Sequence, residues 1–143
     1  FGGLAVSRLF MNVRESAGLA YSVYSDYNPY TGLLMVEAGV DHAKLGEAEQ
    51  RIDAELTRLQ TELVADDELA MIKRLMKADY VTSLDQPGRI TERLQNQELI
   101  GYHTTAEEWL AAVESVTAQQ VQQVANAVKK QLHYELVGGT QND

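Results

Sequence analysis

The sequence predicts an α+β fold: a mainly antiparallel sheet with helices packed on one of its faces. Three observations carry that expectation. Residues 19–40 alternate with period two around a cluster of turn residues, the stretch from Leu45 to Val128 is dominated by three- and four-residue apolar spacings, and alternation returns at Leu132–Val137. The chain has 143 residues, 45% of them hydrophobic, so a single domain spanning 1–143 has enough apolar material for a sizeable core.

Taken in order, Val6, Leu9, Phe10 and Val13 have the spacing of a short helix that ends before Gly18, a residue suited to a C-terminal cap. From Leu19 to Tyr27 the pattern is that of a strand, with Tyr21, Val23 and Ser25 on one side and Ser22, Tyr24 and Asp26 on the other. Asn28-Pro29-Tyr30-Thr31-Gly32 supplies a turn. Leu33–Val40 completes a hairpin, and its apolar run reads as a strand buried on both faces. Leu45, Ala48, Ile52, Leu56, Leu59 and Leu63 then form an amphipathic stripe. Asp66 is placed to cap a second helix carrying Leu69, Ile72, Leu75, Met76 and Tyr80, with Lys73, Arg74 and Lys77 toward solvent. Pro87-Gly88 interrupts the pattern before a third helix through Ile90, Leu94 and Leu99. Thr104 with Glu107, and Thr117 with Gln120, have capping-box spacing and start two more helices. Leu132–Val137, bounded by Gly138-Gly139, is expected to return to the sheet as a last strand.

Twelve Lys and Arg against 21 Asp and Glu give a formal charge of −9, which disfavours nucleic acid or an anionic membrane as partner and favours a neutral or basic peptide. The absence of cysteine rules out thiolate chemistry within the chain and suits a reducing, cytoplasmic compartment. Apolar runs such as Gly32–Val36 are too short to span a bilayer. With no initiator Met, the opening Phe1-Gly2-Gly3 reads as the interior of a longer gene product.

Arg14 and Tyr21 stand seven residues apart where helical spacing gives way to alternation across Gly18. A guanidinium offers several fixed N–H donors and a phenol one O–H, so the two together can orient a peptide and oppose charge on a tetrahedral oxyanion. The other reading of the same residues pairs Arg14 with Glu15 or Asp26 and leaves Tyr21 a half-buried strand aromatic. Phe1-Gly2-Gly3, Ser7-Arg8-Leu9-Phe10, Val13-Arg14-Glu15 and Gly18-Leu19-Ala20-Tyr21-Ser22-Val23-Tyr24-Ser25, with the hairpin and helices that follow, resemble the carboxy-terminal half of pitrilysin/insulinase-type zinc metallopeptidases, the group that includes mitochondrial processing peptidase subunits. The resemblance is densest from Ser7 to Ser25 and extends over nearly the whole chain. It implies a processing-peptidase-like half-domain without zinc, in which Arg14 and Tyr21 hold the substrate backbone while zinc sits on another half or on a partner subunit.

No ligand set for zinc is legible here. His42, His103 and His133 are scattered, none in His-x-x-Glu-His spacing. Asp41-His42 offers two ligand types but stands at a strand-to-helix junction, where Asp is ordinarily an N-cap and His a first-turn residue. Ser25-Asp26 and Ser83 lack a histidine at triad spacing, Asp66-Asp67-Glu68 reads as a solvated helix start, and neither Gly-Gly pair precedes the Lys-Ser/Thr of a phosphate loop. Tyr21, Tyr24, Tyr27 and Tyr30 recur every three residues and cannot share one face of a regular strand.

The expected function is that of a substrate-gripping, zinc-free half of a peptidase, inactive alone and paired with a homologous half-domain or partner subunit. The alternative is a catalytically inactive homologue serving as an assembly or scaffold subunit. An independent small-molecule binder ranks last, because no converging polar pocket can be located.

Overall fold

A computed structural model of the chain describes residues 1–138. After an irregular start the chain makes a π-helical turn, Phe10–Glu15, and then strands β1, Ala20–Asn28, and β2, Leu33–Val40. A short 3-10 turn, His42–Lys44, leads into α1, Leu45–Thr61. Four helices follow: α2, Asp66–Ser83; α3, Pro87–Ile100; α4, Ala106–Ser115; and α5, Ala118–Ala127. The expected α+β class and its helix-on-one-face arrangement are both present, built on a two-stranded antiparallel sheet.

The hairpin register puts Ala20 opposite Val40, Val23 opposite Ala38 and Ser25 opposite Val36. Val23, Val36 and Val40 from that face meet Leu9 and Val13 of the π-helical segment, together with Ala48 and Ile52 of α1, in one apolar cluster. A second cluster joins Leu59 of α1 and Val64 to Ala118 and Ala125 of α5, and Phe1 packs against both. α1 and α5 are also stitched by polar contacts: Gln60 Nε2 donates to the Ala125 carbonyl at 3.1 Å, and Asn126 Nδ2 to the Gln60 carbonyl at 3.1 Å.

Several helix boundaries follow the local chemistry. Pro87 occupies the first turn of α3, where its missing N–H costs nothing, and Gly101 closes that helix at φ +71°. The Thr117–Gln120 capping box starts α5 as expected. α4 is capped by Thr105 and Glu108, one residue later than the Thr104–Glu107 pair with the same spacing. Thr104 is occupied elsewhere, accepting from Gln97 of α3 through its carbonyl and hydroxyl. α2 starts after Ala65, with Asp66 inside its first turn and no side-chain cap. Lys73 and Lys77 are not free in solvent: Lys73 donates to the Glu114 carbonyl at 2.7 Å and Lys77 to the Glu114 carboxylate, tying α2 to α4 beside the stacked rings of Tyr80 and Trp109.

Two expectations are corrected. β2 is not buried on both faces: Leu33 and Met35 are each 55% exposed, because the helices cover only one side of the ribbon. The run Leu132–Val137 forms no strand. It lies beside α1, held by Lys130 to Glu49 and Asp53 at 2.6 and 2.8 Å, and a helix has no free backbone row with which to pair it. Leu132 and Leu136 are consequently 83% and 86% exposed. Gly139, the second half of the expected boundary, lies outside the described residues. No helix among the described residues is long and apolar enough to cross a membrane.

The entry segment is set by one close approach. Gly2 donates its N–H to Ser25 Oγ at 2.8 Å, and a Cβ on Gly2 would stand 2.7 Å from the Ser25 nitrogen and 2.9 Å from Leu9 Cδ1. Gly2→Ala is therefore expected to destabilise the fold by about 1–3 kcal/mol through overpacking. A shift of the urea midpoint with unchanged slope checks this, and an unshifted midpoint contradicts it.

Candidate functional site

The site lies where the π-helical turn hands the chain to β1. Leu9 and Val13 have no exposed surface, and Leu19 is buried just beyond Gly18, so the segment from Leu9 to Leu19 is pinned at both ends. The turn is wide: Ser16 N–H donates to the Met11 carbonyl five residues back, at 2.9 Å. Gly18 then ends it at φ +58°, with its own N–H on the Arg14 carbonyl and the Leu19 N–H on the Val13 carbonyl, each at 3.0 Å. That is the capping role expected for Gly18, and only a glycine adopts this conformation without strain.

Arg14 projects from the last turn of this segment. Its guanidinium lies 4.7 Å over the Phe10 ring, and its Nε is 3.7 Å from Glu15 Oε1. Of the two carboxylates expected as partners, Glu15 is paired with it and Asp26 is not. The Arg14 side chain as a whole keeps 41% of its surface in solvent.

Tyr21 departs from the expected alternation. Ala20 faces Val40 and Ser22 faces Gly39, so three residues of β1 span two of β2 and Tyr21 is the extra one, at a β-bulge. The bulge turns the phenol away from the buried side of Val23: Tyr21 is 67% exposed and Val23 only 5%. The Tyr21 hydroxyl donates to Asp41 Oδ1. Asp41 occupies the N-cap position of the 3-10 turn but makes no capping hydrogen bond, so its carboxylate serves the phenol. No hydrogen bond or ion pair joins Arg14 to Tyr21 among the described residues. Tyr24 repeats the same chemistry, its hydroxyl donating to Glu37 Oε2 at 2.6 Å, while Tyr30 reaches across to Asn96 of α3.

The bulge and the Asp41 partner escape a reading by strand alternation. Gly39 is the signal that could have found them, since a glycine within a strand marks a bulge or close approach; a Cβ there would stand 3.0 Å from Ser22 Oγ.

The remaining candidates resolve into structural contacts. Ser25 Oγ accepts from Gly2, and the Ser83 hydroxyl donates to the Tyr80 carbonyl at 2.6 Å, so neither serves as a nucleophile primed by histidine. Glu68 of the acidic run forms a two-bond pair with Arg8 at 3.0 and 3.1 Å. An apolar cavity of about 270 Å³, lined in part by Phe1, Ser7, Leu59, Ile72 and Val121, includes neither Arg14 nor Tyr21.

Glu49, His133 and Glu135 bring one ligand atom each within 4.8 Å of one another, which makes them the group to test for zinc. They do not fit it. The two imidazole nitrogens face different carboxylates, Nδ1 toward Glu49 at 2.9 Å and Nε2 toward Glu135 at 3.6 Å, and the Lys130 ammonium already sits 2.6 Å from the same Glu49 oxygen. A zinc centre needs its donors converging on one open point, and here a lysine neutralises the principal carboxylate.

The Asp41 carboxylate raises the Tyr21 phenol above its usual range, first by accepting its hydrogen bond and then through its negative charge. The sign follows: the neutral phenol is the favoured form, so the contact is intact at neutral pH and is lost only as pH rises through the elevated value. A tyrosinate absorbance titration differenced against Tyr21→Phe is expected to show Tyr21 ionising above the ordinary value of about 10. Asp41→Ala should return it toward that value, and an unshifted component would disprove the contact.

The first 76 residues, just over half of the chain, match the family model described as the peptidase M16 inactive domain. A Bacillus subtilis protein named as an uncharacterized zinc protease, YmxG, is 32% identical over 94% of this chain and 32% of its own length. A second B. subtilis relative, named as the probable inactive metalloprotease YmfF, is 28% identical over 96% of this chain and 32% of its own length. Among solved structures, a conserved protein from Enterococcus faecalis V583 superposes with a TM-score of 0.77 at 33% identity, covering 87% of this chain and 30% of that one. A protease from Helicobacter pylori shares the fold with a TM-score of 0.76 at 19% identity, over 89% and 32%. The chain thus spans about a third of the length of these relatives, and it belongs to the peptidase M16 inactive-domain family, the carboxy-terminal half-domain of pitrilysin-type peptidases.

Proposed function

We propose that this chain is the substrate-binding, zinc-free half of a pitrilysin-type peptidase, gripping an extended peptide for hydrolysis carried out by a zinc-bearing half or partner subunit. The observation that carries the reading is the contrast within one short segment: Leu9, Val13, Leu19 and Val23 are buried, while the turn and the bulge leave Arg14 half-buried and Tyr21 largely exposed among other solvent-facing polar residues. Arg14 donates to a peptide carbonyl, and the Tyr21 hydroxyl donates to the oxygen that gains charge as the bond is attacked. An extended peptide adds to a free strand edge, where backbone pairing gives affinity with little demand on sequence. The charge of −9 favours neutral or basic peptides, and a chain without cysteine fits a cytoplasmic setting.

A second reading, an inactive assembly subunit, is favoured by the B. subtilis relative named as a probable inactive metalloprotease. Partner choice would then rest on the interface between halves. The experiment uses the full-length protein with its natural partner: zinc content, cleavage of a quenched fluorogenic peptide, and the variants Arg14→Ala and Tyr21→Phe. Loss of the Tyr21 donor is expected to lower kcat by about 10²–10³, the cost typical of an oxyanion donor, and Arg14→Ala to raise KM. A zinc-free complex that binds peptide no differently in either variant refutes the gripping role and leaves the scaffold reading.

A further inference from the structure

Tyr21 has one proton to give, and in this structure Asp41 holds it. A phenol that donates to a carboxylate offers an incoming group only acceptor lone pairs, whereas a peptide carbonyl needs a donor. We propose that Asp41 is an internal competitor for the Tyr21 hydroxyl, engaging the phenol at the bulge in the unliganded chain so that a peptide carbonyl gains the phenolic hydrogen bond only by displacing the Asp41 carboxylate. The inference rests on the peptide-gripping reading of Tyr21 and specifies how that grip is set.

Three features support it. Asp41 immediately follows β2, next to the Gly39–Val40 pair that faces the bulge, so the same irregularity that exposes Tyr21 brings it within reach of this carboxylate. Asp41 has no competing duty: it leaves its N-cap bond unmade and forms no ion pair among the described residues. The nearest lysine of the 3-10 turn, Lys44, is turned away, donating to the Gly18 carbonyl at 3.0 Å. The contact is also easily exchanged. Both side chains are exposed, so water or a peptide can reach the hydrogen bond without opening the fold. Tyr24 and Glu37 make the same kind of contact three residues farther along β1, which supplies an internal comparison without the bulge.

The test is a double-mutant cycle on peptide affinity in the full-length protein. The probe is a short fluorescein-labelled alanine–lysine peptide read by anisotropy, with EDTA present to prevent cleavage. Asp41→Ala is expected to tighten binding about 3- to 10-fold, the fold-change equivalent of one net hydrogen bond. In a Tyr21→Phe background it should change nothing. Asp41→Asn keeps the size and a neutral acceptor, so it should tighten binding in the same direction by less, and it serves in place of the alanine variant if that fails to fold. Glu37→Ala should leave affinity unchanged. Binding unaltered by Asp41→Ala, weakened by it, or altered equally with and without the Tyr21 hydroxyl overturns the inference while Tyr21→Phe still weakens binding. If Tyr21→Phe and Arg14→Ala both bind like the parent protein, the gripping reading itself fails and takes this one with it.

Discussion

Burial of Leu9 and Val13 against Val23 and α1 is the constraint on which the presentation of the site depends. Each such side chain contributes about 1.5–3 kcal/mol when taken fully from water. Their effect here is also geometric. With Leu9 and Val13 fixed on one side of Gly18, and Leu19 and Val23 on the other, the intervening residues have no freedom to turn inward, and Arg14 is left at the surface. The wide turn and the left-handed Gly18 take up the change from helix to strand within a few residues. A helix and strand joined by a longer loop would bury the same apolar surface yet leave the guanidinium and the phenol free to wander.

The helices and the hairpin are legible in the sequence because each is local: periodicity, Pro87 at a helix start, and Thr117 with Gln120 at another all act over a turn or less. Gly18 as a helix stop is legible for the same reason. What escapes depends on partners distant along the chain. Thr104–Glu107 and Thr105–Glu108 are equally spaced, and the choice between them is made by Gln97, which takes Thr104 for itself. The alternation of Leu132, Tyr134 and Leu136 is strand-competent, but the segment lies along α1, fastened by Lys130 and His133 to Glu49. The apolar run of β2 suggests burial on both faces because it does not reveal how many layers cover it. Arg14 at a helix end and Tyr21 on a strand follow from local pattern, whereas Asp41, in the sequence position of a cap, is the partner of a phenol.

The surplus of acid in the chain is used unevenly. Arg8 collects much of it: its guanidinium is held further into the charged range by the two-bond pair with Glu68, and Glu55 and Glu62 act in the same direction. Glu55 is itself buried on α1, with Arg58 Nη1 3.3 Å from one of its oxygens. Because Arg8 immediately precedes Leu9, its pair with Glu68 ties the start of the π-helical segment to α2. The half-buried Arg8 and Glu68 thus constrain each other's position through two parallel hydrogen bonds. The acids around the hairpin behave differently. Glu37 and Asp41 accept hydrogen bonds from phenols at the surface, where they set the orientation of tyrosines without fixing the backbone.

That division bears on what the groups at each end of the domain can do. Hydrolysis needs a group that activates water, and the three-residue cluster nearest to one, Glu49, His133 and Glu135, is already balanced by Lys130 and lies on the α1 side among tail contacts. At the Arg14–Tyr21 end the available groups are a guanidinium and a phenol raised further from ionisation by its carboxylate. Neither can serve as a base near neutrality. Both are hydrogen-bond donors, with the Tyr21 proton engaged by Asp41 in this structure. The segment's architecture therefore fixes position: its buried residues, its glycine cap and its bulge determine where the Arg14 and Tyr21 side chains stand.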